Sequence, residues 1–363
     1  MSPAHVKGPE GAADDQAGRL IAGRFVIRRL VASGGMANVY EAEDLRTRRV
    51  GALKLLREHC RTAPDAVERL AREGAAATRV SGPHVARAIA AGRFASGEPY
   101  LFMELLLGLS LRELLDSRGR LGVQEALKIS EQAAQGVFAA HAAGVLHRDI
   151  KPANLFLAGS ERERQVKLLD FGVSKLPGER ALTREGLALG TFSYMPPEQM
   201  MSAKRVDGRA DLFSLGVVLY ESLAGRPPFA AKSVRELMQR MEANDYAPLR
   251  QVRRDAPPEV DAILARTVRA DPAERFSSAR ELREALAALC ERALPQRTLA
   301  VGAAPLLPPH QAAALRAAQV VGTPPAAPSA PGAQWPISVA PGPLPHARTL
   351  LVETIVPETR KRR

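Results

Sequence analysis

The chain has 363 residues, 46% hydrophobic and 25% charged, enough to bury more than one core and ordinary for a globular protein. Its net charge of +12 is concentrated partly beyond Pro295, where seven Lys and Arg face two acids; no basic and aromatic residues interleave into a stacking platform, so no nucleic-acid site is expected. Cys60 and Cys290 stand far apart without a CxxC, and no apolar run has the length of a signal core or membrane span. A disulfide framework, a zinc site and a membrane-spanning segment are therefore not expected, and a cytoplasmic location fits.

Residues 1–23 combine Gly, Ala and charge without periodicity and read as a disordered leader. Order is expected from Arg24-Phe25-Val26-Ile27, a β-like run. It leads through Val31-Ala32-Ser33-Gly34-Gly35-Met36-Ala37-Asn38-Val39-Tyr40 as strand, glycine turn and strand, a hairpin whose tip can approach a ligand closely. A third strand, residues 50–56, places Lys54 among Ala52, Leu53 and Leu55; on its own such a lysine also fits a side chain that snorkels to solvent. Residues 65–79 read as a helix with Glu73 among apolar neighbours. Residues 93–104 read as two further strands joined around Ser96-Gly97-Glu98-Pro99. Helices follow at 111–115 and 124–142.

Then comes Val145-Leu146-His147-Arg148-Asp149-Ile150-Lys151-Pro152-Ala153-Asn154, followed by Leu168-Leu169-Asp170-Phe171-Gly172. Pro152 has no backbone donor and closes off helix, so the first segment reads as a loop between short buried strands at Val145-Leu146 and Leu155-Phe156-Leu157. Asp149 and Asp170 at the ends of buried runs are costly unless paired or metal-bound. A Thr- and Gly-rich stretch, 183–198, precedes a buried helix at 211–223, and further helices are expected near 233–242, 259–269 and 278–293. A sheet-rich first part and a helical second part make an α+β chain of two lobes. Past Leu294, thirteen of the 28 prolines lie among alanines, so 295–363 reads as a disordered, partly polyproline tail with a basic end, Arg360-Lys361-Arg362-Arg363.

HRDIKPAN, DFG, GTFSYMPPEQ, DLFSLGVVLYE and DPAERF stand in the order and spacing of the eukaryotic-type Ser/Thr protein kinases, and the chain resembles their bacterial branch over residues 24–293. The resemblance implies a kinase domain at 24–294, with a small β-sheet N-lobe at 24–103 and a larger helical C-lobe at 107–294. It implies transfer of the γ-phosphoryl group of ATP to Ser/Thr hydroxyls of protein substrates. Asp149 is then the base that accepts the hydroxyl proton and Lys151 the positive clamp on the moving phosphate. Lys54 grips the α- and β-phosphates and pairs with Glu73. Asn154 and Asp170 hold Mg²⁺, with Mn²⁺ as a substitute. ATP lies under Val31, Ala32, Ser33, Gly34, Gly35, Met36 and Ala37. Its adenine is sandwiched by Val39 and Ala52 above and Phe156 below; Met103 is the gatekeeper, and Glu104 and Leu106 offer backbone groups. Glu198 pairs with Arg275, and Asp211 braces the catalytic loop. Arg148 marks activation by phosphorylation, with Thr183 the candidate acceptor and Thr191 bonding Asp149 and Lys151.

Two departures stand out. The glycine loop keeps one of three family glycines, with alanine at 32 and 37, which implies a weaker grip on ATP or slower turnover; Gly51-Ala52-Leu53-Lys54 replaces Val-Ala-Ile-Lys. The altered loop also fits a pseudokinase scaffold, and a small-molecule kinase of related fold is a third reading. Thr298, Thr323, Thr349, Thr354 and Thr359 in the tail suit autophosphorylation and recruitment of a phosphothreonine-binding partner. A transient homodimer for autophosphorylation follows from family analogy alone.

Overall fold

The N-terminal apolar runs alternate, and alternation builds a sheet with one covered face. In the computed structural model, which describes residues 16–161, 163–172, 192–201 and 206–293, β1 (Leu20–Ile21), β2 (Phe25–Ser33), β3 (Ala37–Asp44), β4 (Arg49–Leu56), β5 (Ala88–Arg93) and β6 (Pro99–Met103) form one antiparallel sheet ordered β1-β2-β3-β4-β6-β5. β4 lies inside this sheet, and its residues 51–56 are all buried. A lysine there has no route to water, so Lys54 must find its partners inside.

Helix α1 (Pro64–Arg79) packs on β5 and β6. Pro64 opens it, Asp65 lies in its first turn and Arg79 in its last, the charge order that suits the helix dipole. Its buried positions, Ala66, Leu70, Glu73, Gly74, Ala76 and Ala77, form one face, and Glu73 is the only acid on it.

The second lobe starts with β7 (Gly108–Ser110) and α2 (Leu111–Arg118), where Ser110 and Glu113 form a reciprocal capping box. α3 (Val123–Ala142) leads to the loop before β8 (Leu155–Ala158) and β9 (Gln165–Leu168), which with β7 make a small antiparallel sheet. α4 (Pro197–Met201), α5 (Arg209–Ala224), α6 (Val234–Glu242), α7 (Leu249–Val252), α8 (Pro258–Thr267) and α9 (Ala279–Ala293) complete it. α5 is buried on every side from Ala210 to Leu223, as a helix apolar all round must be, and α3, α8 and α9 pack against it.

The lobes meet where residues 84–86 pair with β9: Leu168 N–H donates to His84 O and Ala86 N–H to Leu168 O, both at 3.0 Å. This fixes Asp170, two residues on, against the N-terminal sheet. Three expectations shift. Order begins ahead of Arg24, because Leu20–Ile21 pair antiparallel with Phe25 and Val26 as β1 inside the stretch read as a disordered leader. Val145-Leu146 forms no strand, because Val145 N–H instead caps α3 at Ala140 O. The fifth strand lies at Ala88–Arg93, where alanines hid the β pattern.

Candidate active site

Three elements bring Lys54, Glu73 and Asp170 together. Lys54 Nζ stands 2.8 Å from Glu73 Oε1 and 3.0 Å from Asp170 Oδ1, with 2% of the lysine side chain exposed. In the loop after α3, Lys151 Nζ lies 3.1 Å from Asp149 Oδ2. Asn154 Nδ2 donates to both Asp149 O and Asp149 Oδ2, each at 2.8 Å. That fixes the amide and leaves its oxygen as the group to present to a cation. Asn154 and Asp170 thus offer hard oxygens, and among the described residues no group of three or more His, Cys, Asp or Glu is placed to hold a metal ion. Such a sparse donor set fits magnesium, which keeps water and phosphate ligands.

The loop holding these groups is strained. Arg148 (φ 59°) and Asp170 (φ 51°) both adopt left-handed backbone, at a cost on the order of 1–3 kcal/mol each. Asp211 holds the first in place: its Oδ1 accepts Arg148 N–H at 2.7 Å, and its Oδ2 accepts His147 N–H at 2.9 Å and faces His141 Nε2 at 2.7 Å. Burial works against the charge of Asp211, but the contacts with His141 and His147 keep its carboxyl below the usual range. Gln199 Nε2 adds a bond to Arg148 O at 2.8 Å. Gly172 N–H donates to His147 O, and a Cβ at Gly172 would stand 2.7 Å from Asp149 Cβ, so only glycine lets the two segments lie side by side.

His147 is fully buried. Asp149 N–H donates to its Nδ1 at 3.3 Å, so the proton sits on Nε2, 2.8 Å from Leu169 O. Burial, outweighing the nearby carboxylates, pushes its pKa below 6.5. With the folded pKa lowered, the unfolded chain binds the extra proton first; stability is complete above about pH 6.5 and is lost as pH falls towards the folded value. The unfolding free energy from urea titrations should fall between pH 7.5 and 5.5, by up to about 1.4 kcal/mol per pH unit from this group. His147→Phe should flatten that slope while lowering stability overall; an unchanged slope would contradict the assignment.

The proposed adenine walls also converge. Val31, Val39, Ala52, Met103, Leu106 and Phe156 belong to one buried apolar cluster, with Ala32 and Met36 packed on it, and Met103 lies opposite Ala52 in the β4–β6 ladder. A Cβ at Gly51 would stand 2.5 Å from Met103 O and 2.7 Å from the Phe102 ring, which explains the glycine where the family has valine. Glu104 carries a second role that its position on the connector did not signal: its Oε1 accepts Arg87 N–H at 2.8 Å and Lys167 Nζ at 2.9 Å.

At the hairpin tip, Ala32 and Ala37 lie in β2 and β3, and no residue from 32 to 37 has a positive φ. The backbone therefore asks for glycine at neither alanine, which removes the physical ground for expecting a weak grip on ATP. Ala32→Gly and Ala37→Gly should each destabilise by about 0.5–1 kcal/mol without raising ATP turnover; a gain in kcat would show that the alanines do restrain the loop.

Glu198 and Arg275 form a two-pronged pair at 2.6 and 2.9 Å. Thr183 and Thr191, like the tail threonines, lie outside the described residues. Sequence reasoning missed His141, Gln199 and Gly172 as supports of the loop; Gln199 and Gly172 had a signal in their motifs, PPEQ and DFG, while His141 had none beyond its place in the last turn of α3.

The Protein kinase domain family model matches residues 25–287. The chain belongs to that family. This kinase domain is 38% identical over 262 residues to Serine/threonine-protein kinase PknD of Mycobacterium tuberculosis, an alignment covering 72% of this chain and 39% of that protein. It is 34% identical over 329 residues to Serine/threonine-protein kinase PknE of Mycobacterium bovis, covering 90% of this chain and 55% of the relative. The chain thus spans between 39% and 55% of the length of these two relatives. Among solved structures, the kinase domain of Mycobacterium tuberculosis PknI matches with a TM-score of 0.59 at 28% identity, covering 75% of this chain and 98% of that one. Among the described residues no helix is long and apolar enough to cross a membrane.

Proposed function

We propose that this chain transfers the γ-phosphoryl group of ATP to Ser and Thr hydroxyls of proteins. The observation that carries the reading is the ammonium of Lys54 held between Glu73 and Asp170, with Asp149, Lys151 and Asn154 clustered in a loop packed against the segment that carries Asp170. These are charges that phosphoryl transfer can use, and each is held by a second group.

In this reading Lys54 positions the α- and β-phosphates, and Glu73 keeps its ammonium aimed. Asp149 orients the acceptor hydroxyl and takes its proton as the new O–P bond forms and the bond from the γ-phosphorus to the bridging oxygen breaks. Lys151 faces the charge that develops on the transferred group. Asn154 and Asp170 would hold Mg²⁺, which supplies neutralisation of phosphate charge. A pseudokinase scaffold fits less well, since no catalytic group is missing. Labelled ATP and Mg²⁺, incubated with the full chain and a generic basic protein, test the reading. Label on the protein acceptor supports it; nucleotide binding without transfer would favour the scaffold, and label confined to small molecules the third reading.

Regulation by phosphorylation of Thr183 belongs to the same proposal. Arg148 Nε is buried without a hydrogen-bond partner among the described residues, and Arg72, Arg79 and Arg148 line a cleft of about 420 Å³, a basic surface suited to a phosphate. Thr183→Ala should lower activity severalfold; unchanged activity together with no phosphate at this position by mass spectrometry would remove Thr183 from the scheme. Phosphorylation of tail threonines to recruit a phosphothreonine-binding partner, a transient homodimer and a cytoplasmic location complete the proposal, and phosphosite mapping after autophosphorylation decides the tail's part.

A further inference from the structure

Three consecutive carbonyls at the tip of the β2–β3 hairpin face one short connector. Arg57, the residue after β4, donates its backbone N–H to Met36 O at 2.9 Å and its Nη1 to Gly34 O at 3.2 Å. Between these bonds, Cys60 Sγ lies 4.0 Å from Gly35 O, the outer limit of a weak thiol bond. In a planar trans peptide, the C=O of one residue and the N–H of the next point in opposite directions. Turning the carbonyls of 34, 35 and 36 towards the connector therefore turns the N–H groups of Gly35, Met36 and Ala37 away from it. Gly34 N–H closes the turn on Ala37 O at 2.9 Å. With two family glycines absent and no positive φ between 32 and 37, the shape of this tip is set by its strands and by the connector.

We infer that Arg57 is a positioning residue for the nucleotide, orienting the hairpin tip so that its N–H groups face the phosphate chain. The inference rests on the proposed function, in which this hairpin covers ATP. The connector runs on into α1, so the same strap ties the tip to the helix that carries Glu73. Arg57 is exposed, and its replacement opens no cavity in the core.

Calorimetric titration of the full chain with Mg²⁺·ATP and with adenosine, which has no phosphates, tests this. Arg57→Ala should weaken ATP about tenfold and leave adenosine within about twofold, since one charged hydrogen bond is lost only from the phosphate cover. The ratio of wild-type to variant ATP affinity should hold from about 0.05 to 0.5 M salt, whereas a direct contact between Arg57 and phosphate would be screened. Unchanged ATP affinity, equal weakening of both ligands, or a ratio that collapses with salt overturns the inference. Wild-type protein that binds neither ligand overturns the nucleotide reading beneath it.

Discussion

Asp149→Asn should lower kcat between about 10² and 10⁴-fold and leave the KM for ATP nearly unchanged, the signature of losing a group that acts only in the transfer step. The geometry makes this substitution clean. Asp149 Oδ2 receives the Lys151 ammonium at 3.1 Å and the Asn154 amide at 2.8 Å, and both partners are donors that an asparagine oxygen can still accept. The backbone carbonyl of Asp149, bonded to the same amide at 2.8 Å, is untouched. What disappears is the capacity to take a proton. Steady-state kinetics with varied ATP separate the two parameters, and a kcat within tenfold of wild type would show that Asp149 is not the base.

Arg275→Ala should be the most destabilising single change. Its side chain is fully buried; besides Glu198 it donates to Arg269 O at 2.7 Å, Ala270 O at 2.9 Å and Arg209 O at 3.1 Å, and it lies 4.9 Å from the centre of the Phe213 ring. Alanine leaves a carboxylate and three carbonyls without their donor. Breaking a buried pair in this way costs roughly 3–5 kcal/mol, which for a domain of this size lowers Tm on the order of 10 °C. Arg275→Lys should recover little, because an ammonium cannot reproduce the planar fork. Replacing both partners by apolar residues of similar size should recover more than either single change. Thermal melts of the four proteins check this; an Arg275→Ala protein as stable as wild type would mean that the pair holds nothing together.

Much of the site was legible because it is written in short motifs. Asp149, Lys151 and Asn154 fall within one loop, and Asp170 follows a plain apolar run into β9. Lys54 and Glu73 were harder: each alone fits a solvated side chain, and only a central strand followed by a helix 19 residues on turns them into a pair. The supports stayed hidden. His141 reaches Asp211 from 70 positions away, and Lys167 reaches Glu104 from 63, distances at which spacing carries no information. Arg57 escaped notice because its work is done on carbonyls, and backbone acceptors leave no mark on sequence. Strand β5 was misplaced for a related reason: its alanines and glycine say little about β structure, and its pairing with β6 fixes it instead.

The most direct test of phosphoryl transfer to Ser and Thr is phosphoamino-acid identification after incubation of the full chain with γ-labelled ATP, Mg²⁺ and a protein acceptor, beside Asp149→Asn. The proposed function predicts label on phosphoserine and phosphothreonine with wild type and almost none with the variant. Equal labelling by the two proteins, or label absent from both while ATP still binds, would contradict the assignment of this cleft as a protein kinase active site.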